Sequence, residues 1–348
     1  MKYDYIIVGQ GLAGSVLAFT LLKNNKKILV IDDNSRPSAS KIAAGLYNPI
    51  TGMRLVKTWE ADTIFPFLIN FYREMEKVLS TKFFFPSSIY RPYDSIEIQN
   101  DWMARTERQD LKKYILTKHD IIPEGLMHHP FGGISSNLSG FVDVKTLIEE
   151  FKKSFIKEGF YQDEIFNYTD LKVSENQINY KNYKAYKIIF CDGIYVLNNP
   201  YFNFLPFKYV KGEILTLSID DIKLDTIINK GVYLLQNKNG DFKLGATYDW
   251  NSNNWNITES GKNELVEKLN KFIIKPYQII NHQVGVRPAS LDRRPIIGLH
   301  PTYKNIGIFN GLGTKGVSLA PYFAHEFVQF LENGKEMNKE VQIERFFR

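Results

Sequence analysis

The feature that most restricts this chain lies at its start: three glycines, Gly9, Gly11 and Gly14, placed between two apolar runs. Tyr5–Val8 reads as a buried strand. The following residues take up helical spacing through Val16, Leu17, Phe19 and Leu21, and Asn24-Asn25 ends them. Lys27–Ile31 is a second apolar strand closing on Asp32-Asp33. A strand, a tight turn, a helix and a parallel second strand form the nucleotide-binding half-unit. In it Gly9 permits the turn, Gly11 admits a pyrophosphate to the backbone and Gly14 allows close helix–strand packing. The amides of Leu12 and Ala13 then sit at the positive end of the helix, facing the phosphates. Asp32 ends the second strand, where a carboxylate accepts hydrogen bonds from ribose hydroxyls; Asp33 is the competing candidate.

With 348 residues there is room for a large core in one or two interleaved domains. Lys plus Arg number 44 against 38 for Asp plus Glu, a net charge of +6 that only weakly favours acidic partners. Cys191 is the single cysteine, which excludes an intrachain disulfide and a Cys-based zinc cluster and fits a reducing, cytoplasmic setting. Six histidines without ligand spacing give no metal site, and the apolar run Ile64–Tyr72 is too short to span a bilayer.

Further along, residues 60–80 and Phe141–Gly159 have helical periodicity, and residues 83–100 and 205–250 have the β-branched and aromatic content of an antiparallel sheet. Ala185–Phe190 and Ile306–Phe309 read as buried strands, and Val317–Leu331 as a last helix. The expected fold class is α/β with α+β character: a Rossmann-like domain with an interleaved antiparallel-β substrate domain. The former takes residues 1–82, 140–205 and 283–348, and the latter residues 83–139 and 206–282.

Three further segments carry a family resemblance. Ser38-Ala39-Ser40-Lys41-Ile42-Ala43-Ala44-Gly45-Leu46 resembles the stretch after the second strand in D-amino-acid-oxidase-type flavoproteins, the group of glycine and sarcosine oxidases. Residues 285–298, from Gly285-Val286-Arg287-Pro288 to Pro295-Ile296-Ile297-Gly298, are similar to that family's G-x-R-P…D-x-x-P-x-x-G signature. Residues 311–321, beginning Gly311-Leu312-Gly313-Thr314-Lys315-Gly316, resemble its final glycine-rich turn into a helix. The resemblance spans essentially the whole chain and implies non-covalent FAD, with Ser40, Ala43, Ala44 and Gly45 along the pyrophosphate and flavin. It places Gly311, Gly313, Thr314, Lys315 and Gly316 at the flavin's pyrimidine edge, Gly193 in an A-x-G-like strand end, and Val142 near the adenine. It gives Arg287 the substrate carboxylate, for which a planar, permanently charged fork is suited, with Tyr233 assisting and Lys315 adding a cation. Leu312 stands where the family often has histidine. Cys191 reads as a packing residue.

The implied chemistry is oxidation of the CH–NH bond of an amino acid or secondary amine, by hydride transfer to flavin N5 without a dedicated general base. A second reading comes from Ala43–Ile50, which resembles the flavin domain of the enzyme that oxidises carboxymethylaminomethyl-uridine at the tRNA wobble position; Arg54, Lys57, Arg91 and Arg293-Arg294 could meet phosphates. A third keeps FAD as a structural or sensing group. The partners expected are a small amine first and tRNA second, with no DNA and no membrane; the sequence leaves the oligomeric state open.

Overall fold

The computed structural model describes residues 2–33, 35–116 and 121–347. Two large sheets organise it. The first runs Tyr161–Asp163, Ile28–Asp32, Lys2–Val8, Tyr183–Phe190, Gln177–Tyr180 and Leu171–Ser174, with Ile306–Asn310 pairing beside Tyr183–Phe190 and Ile296–Leu299 beyond it. Its central pairs are parallel: Val8 lies opposite Ile31 and Phe190, and Phe190 opposite Ile308. Lys2–Val8 and Ile28–Asp32 are buried almost continuously, as is the Ile188–Phe190 end of their neighbour, as parallel strands covered on both faces must be. The helices Leu12–Lys23, Ala61–Leu79 and Gly316–Asn333 pack on one face through Val16, Phe65, Leu68 and Phe323. The other face carries Ile6, Phe190, Phe202 and Ile308.

The second sheet has seven strands in the order Gln278–Ser290, Phe207–Ser218, Phe242–Gly245, Tyr233–Gln236, Ile227–Asn229, Ile89–Pro92 and Gly133–Ser136. All neighbours are antiparallel except Ile227–Asn229 beside Ile89–Pro92. The mixed α/β class expected from sequence is what forms. Residue 283, expected as a division, falls inside the continuous strand Gln278–Ser290, whose backbone pairs with Phe207–Ser218 along its length. Residues 283–290, Arg287 among them, thus belong to the antiparallel sheet.

Two local expectations change. The helix expected from Phe141 begins at Val144, because Gly140–Val142 is a strand and the Asp143 carboxylate accepts the Thr146 N–H as a cap. Residues 83–100 are strand only to Pro92; the Ser95 hydroxyl caps a helix Ile96–Thr106 whose Trp102 is buried.

Alternation along the Phe207–Ser218 strand sets what faces the space between the sheets. Gly212 and Ile214 line that space, while Lys211 and Glu213 point to the far side. There Lys211 Nζ lies 3.5 Å from Glu213 Oε1 and 3.2 Å from Asn254 Oδ1. Glu213 accepts from Thr258 N–H and hydroxyl at 3.0 and 2.8 Å, and His282 Nε2 is 2.7 Å from its Oε2. This buried group pins the chain between Thr247 and Thr258, the strap that carries Tyr248 and Trp255 to the opposite face.

Among the described residues no helix is long and apolar enough to cross a membrane, and no cluster of His, Cys, Asp or Glu could hold a metal ion.

Candidate active site

A cavity of about 740 Å³ runs between the two sheets, from the glycine turn to the antiparallel strands. At the first end Gly9 has φ +99°, and a Cβ there would stand 2.5 Å from the Cys191 carbonyl oxygen. A Cβ on Gly14 would lie 1.9 Å from the Gly9 carbonyl oxygen, so helix and turn touch only because residue 14 is glycine. Gly11, Leu12 and Ala13 line the cavity. Gly11 at the helix start offers no capping side chain, and the Ser40 hydroxyl accepts the Leu12 N–H at 3.1 Å instead. Ser40 therefore ties the segment after the second strand to the helix start.

Asp32 and Asp33 both line the cavity, but their bonds differ. Asp32 Oδ1 accepts the Gln10 N–H at 2.8 Å, and burial raises its carboxyl pKa, with that N–H opposing. Asp33 turns back on its own loop, accepting the Ser35 N–H and hydroxyl at 3.0 and 2.7 Å, which hold its pKa down. Asp32 is thus the acid aimed at the turn.

Ala43, Ala44 and Gly45 continue along the wall, and Ala44 and Leu46 pack against Ile89, Ile227 and Leu235 of the second sheet. Gly193, Gly313, Thr314, Lys315 and Gly316 complete the expected lining. Burial lowers the pKa of Lys315, followed by the charges of Arg294 and Arg293. Three expected residues stand behind the wall. Gly14 serves packing, Val142 backs Gly45 and donates its N–H to the Gly45 carbonyl at 2.9 Å, and Gly311 turns the chain with φ +73°. Val144 and Ile148 line the cavity where Val142 was expected.

At the other end Arg287 and Tyr233 come together above a floor of two glycines. A Cβ on Gly212 would meet both Arg287 terminal nitrogens at 2.4 Å; a Cβ on Gly245 would meet the Tyr233 hydroxyl at 2.5 Å. The Tyr248 ring centroid lies 5.4 Å from the Arg287 guanidinium. Arg287 Nη1 is buried with no hydrogen-bond partner among the described residues. Burial raises the Tyr233 pKa, with Tyr248 adding to it and Arg287 opposing, so its hydroxyl is a neutral donor at ordinary pH. A buried, unpartnered guanidinium nitrogen beside a phenol has the donors that a carboxylate would need.

Several wall residues went unread in the sequence. Arg36 lies 5.1 Å from the Tyr195 ring and 3.6 Å from Asp33, and Tyr248 and Trp255 line the far end; Arg91, read in the sequence only as a possible phosphate contact, lines the cavity as well. Asp192 also lines the cavity, accepting from Asn199 at 3.0 Å and Asn310 at 3.1 Å, and burial pushes its pKa up to about 7. Cys191 beside it is buried, and burial raises its thiol pKa well above the ordinary value, as for a packing residue rather than a nucleophile.

The arrangement fits FAD: glycines where backbone must approach a pyrophosphate, an acid at the second strand's end, and a wall long enough to reach the second sheet. Comparison with known proteins agrees. The chain is 25% identical to glycine oxidase of Bacillus subtilis (strain 168), over 97% of this chain and 95% of that one. It is 22% identical to the tRNA 5-methylaminomethyl-2-thiouridine biosynthesis bifunctional protein of Marinobacter nauticus, over 92% of this chain but only 54% of that longer protein. The fold superposes on the crystal structure of glycine oxidase from Geobacillus kaustophilus with a TM-score of 0.76 at 18% identity, covering 98% of each chain. The family model for FAD-dependent oxidoreductases of the DAO type matches residues 4–330, and the chain belongs to that family.

Proposed function

We propose that this FAD-dependent oxidoreductase oxidises the CH–NH bond of a small amine that carries a carboxylate, an amino acid or an N-substituted amino acid. The observation that carries the reading is Arg287: its Nη1 is buried without a partner, in the cavity whose opposite end holds the glycine turn. FAD, when bound, supplies the two-electron acceptor. The protein supplies alignment. Arg287 holds the substrate carboxylate as a bidentate pair, and Tyr233 donates to the same group. Tyr248 and Trp255 cover it from the strap and limit water. Lys315 and the N-terminus of the final helix place positive potential at the wall facing the cofactor. Asp32 accepts from the adenosine ribose, while Ser40, Ala43, Ala44, Gly45 and Gly193 provide the path between. The division into a cofactor domain and an antiparallel substrate domain follows the two sheets. A cytoplasmic setting accords with the one buried cysteine.

The test is anaerobic titration of purified protein with primary and secondary amino acids, followed by flavin absorbance. Bleaching by at least one carboxylate-bearing amine is expected; a broad panel without bleaching contradicts the reading.

A second reading, oxidation of an aminomethyl side chain on a tRNA wobble uridine, is favoured by one surface feature. Tyr248 and Trp250 are exposed, and Arg293 lies 5.8 Å from the Trp250 ring, a stacking surface with a cation beside the cavity. Salt-sensitive binding of unmodified tRNA at low ionic strength supports it, and no binding at 50 mM salt removes it.

A further inference from the structure

We infer that the cavity holds a second anion subsite centred on Arg91, so that the favoured substrate is an amine with two acidic groups. The inference rests on the reading of Arg287 as holder of the first carboxylate. Arg91 sits on the strand Ile89–Pro92. Register places it on the cavity face: Tyr90 pairs with Ile228 in parallel, and the next residue, Asn229, pairs with Tyr233. Arg91, Asn229 and Tyr233 all line the cavity. Two strand spacings, about 10 Å, separate the backbone at Arg91 from that at Tyr233.

The residue is 7% exposed, and no carboxylate pairs with its guanidinium among the described residues. Its Nη1 donates to the Gly52 carbonyl at 3.1 Å and its Nη2 to the Ile50 carbonyl at 2.6 Å; Nε is buried without a partner among the described residues. Carbonyl oxygens satisfy direction but leave the net charge uncompensated. The acid at hand, Asp94, is paired with Lys230 at 2.9 Å, and both of these line the cavity. By contrast Lys211, as deeply buried on the far face of the same sheet, has Glu213. Burial alone lowers the Arg91 pKa to about 10, with no acid opposing, so the group stays cationic at neutral pH. The cofactor's pyrophosphate belongs at the glycine turn on the other sheet, so the anion that answers Arg91 comes with the substrate. Asn48, Thr51 and Asn229 on the same wall add polar contacts. The ligand class is an N-substituted amino acid whose second acidic group is several bonds from the amine.

The experiment compares N-(ω-carboxyalkyl)glycines of increasing chain length with their distal carboxamides in anaerobic flavin reduction. Non-reacting diacids and monoacids are compared in parallel by the shift they cause in the flavin spectrum. At the best length the distal carboxylate should lower the half-saturating concentration roughly 10-fold or more against the carboxamide, with the limiting rate little changed. Arg91→Gln should bring the pair to within about 2-fold, and Arg91→Lys should keep part of the gain. Because the wild-type comparison changes only the ligand, it does not depend on how the variants fold. Carboxylate and carboxamide behaving alike in the wild type at every length overturns the inference, as does a gain that survives in Arg91→Gln. If N-alkylglycines bleach the flavin but the distal acid adds nothing, the subsite alone falls. If no compound bleaches or perturbs it, the amine reading falls and takes the subsite with it.

Discussion

The guanidinium of Arg287 occupies the space in which Gly212 would otherwise carry a side chain, with both terminal nitrogens 2.4 Å from the Cβ position. The glycine is on one strand and the arginine on its neighbour, so the seat of the guanidinium is built by cross-strand complementarity. Gly212→Ala must displace the fork from its floor. Activity toward a carboxylate-bearing amine should fall about 10- to 100-fold in kcat/KM, the range of a lost charge-assisted pair, while flavin content is kept. Steady-state kinetics with a flavin spectrum of the same preparation checks both halves.

Tyr233 should matter less than Arg287. Its hydroxyl is one neutral donor held over Gly245, so Tyr233→Phe removes a hydrogen bond of about 1 kcal/mol, or roughly 5-fold in kcat/KM. A loss as large as that of Arg287→Met would mean that the hydroxyl does more than assist the carboxylate.

Cofactor affinity should depend on Asp32 and hardly on Asp33. Asp32 faces the glycine turn, whereas Asp33 is spent on its own loop with Ser35. Asp32→Ala is expected to weaken FAD binding on the order of 10-fold, two charge-assisted ribose bonds being replaced by water. Asp33→Ala should leave it within about 2-fold. Fluorescence titration of the apoprotein with FAD measures both.

Asp192 gives stability a definite pH slope. Its folded pKa, about 7, lies above the ordinary carboxyl value of 3.8, so the folded chain binds more protons between them. The contribution is fully present below about pH 4 and is lost as pH rises through about 7. The stability of wild type relative to Asp192→Ala, followed through the melting temperature, should therefore fall from pH 5 to pH 8, by on the order of a few kcal/mol at most. Parallel pH curves for the two proteins would contradict the assignment.

The nucleotide half of this site was readable in the sequence because its parts are close along the chain. Gly9, Gly11, Gly14 and Asp32 lie within one strand–helix–strand unit, where spacing dictates geometry. The place of Arg287 in the cavity was readable through its motif. Gly212 and Gly245 were not: in sequence they are interruptions in apolar strands, and they acquire meaning only from Arg287 and Tyr233 on neighbouring strands. Arg91, Tyr248 and Trp255 reach the cavity through sheet register and the strap held by Glu213, long-range relations that leave no local pattern. The misread stretch 83–100 has the same cause. Its aromatic content looked like sheet, yet the Ser95 cap and the burial of Trp102 decide for helix after Pro92.

The most direct measurement is anaerobic flavin reduction by N-methylglycine and by its carboxamide, in the wild type and in Arg287→Met. The account predicts that the wild type is bleached at least roughly 10-fold more efficiently by the acid, and that Arg287→Met loses this preference. Equal bleaching by acid and amide in the wild type, or a preference that persists in Arg287→Met, would contradict it.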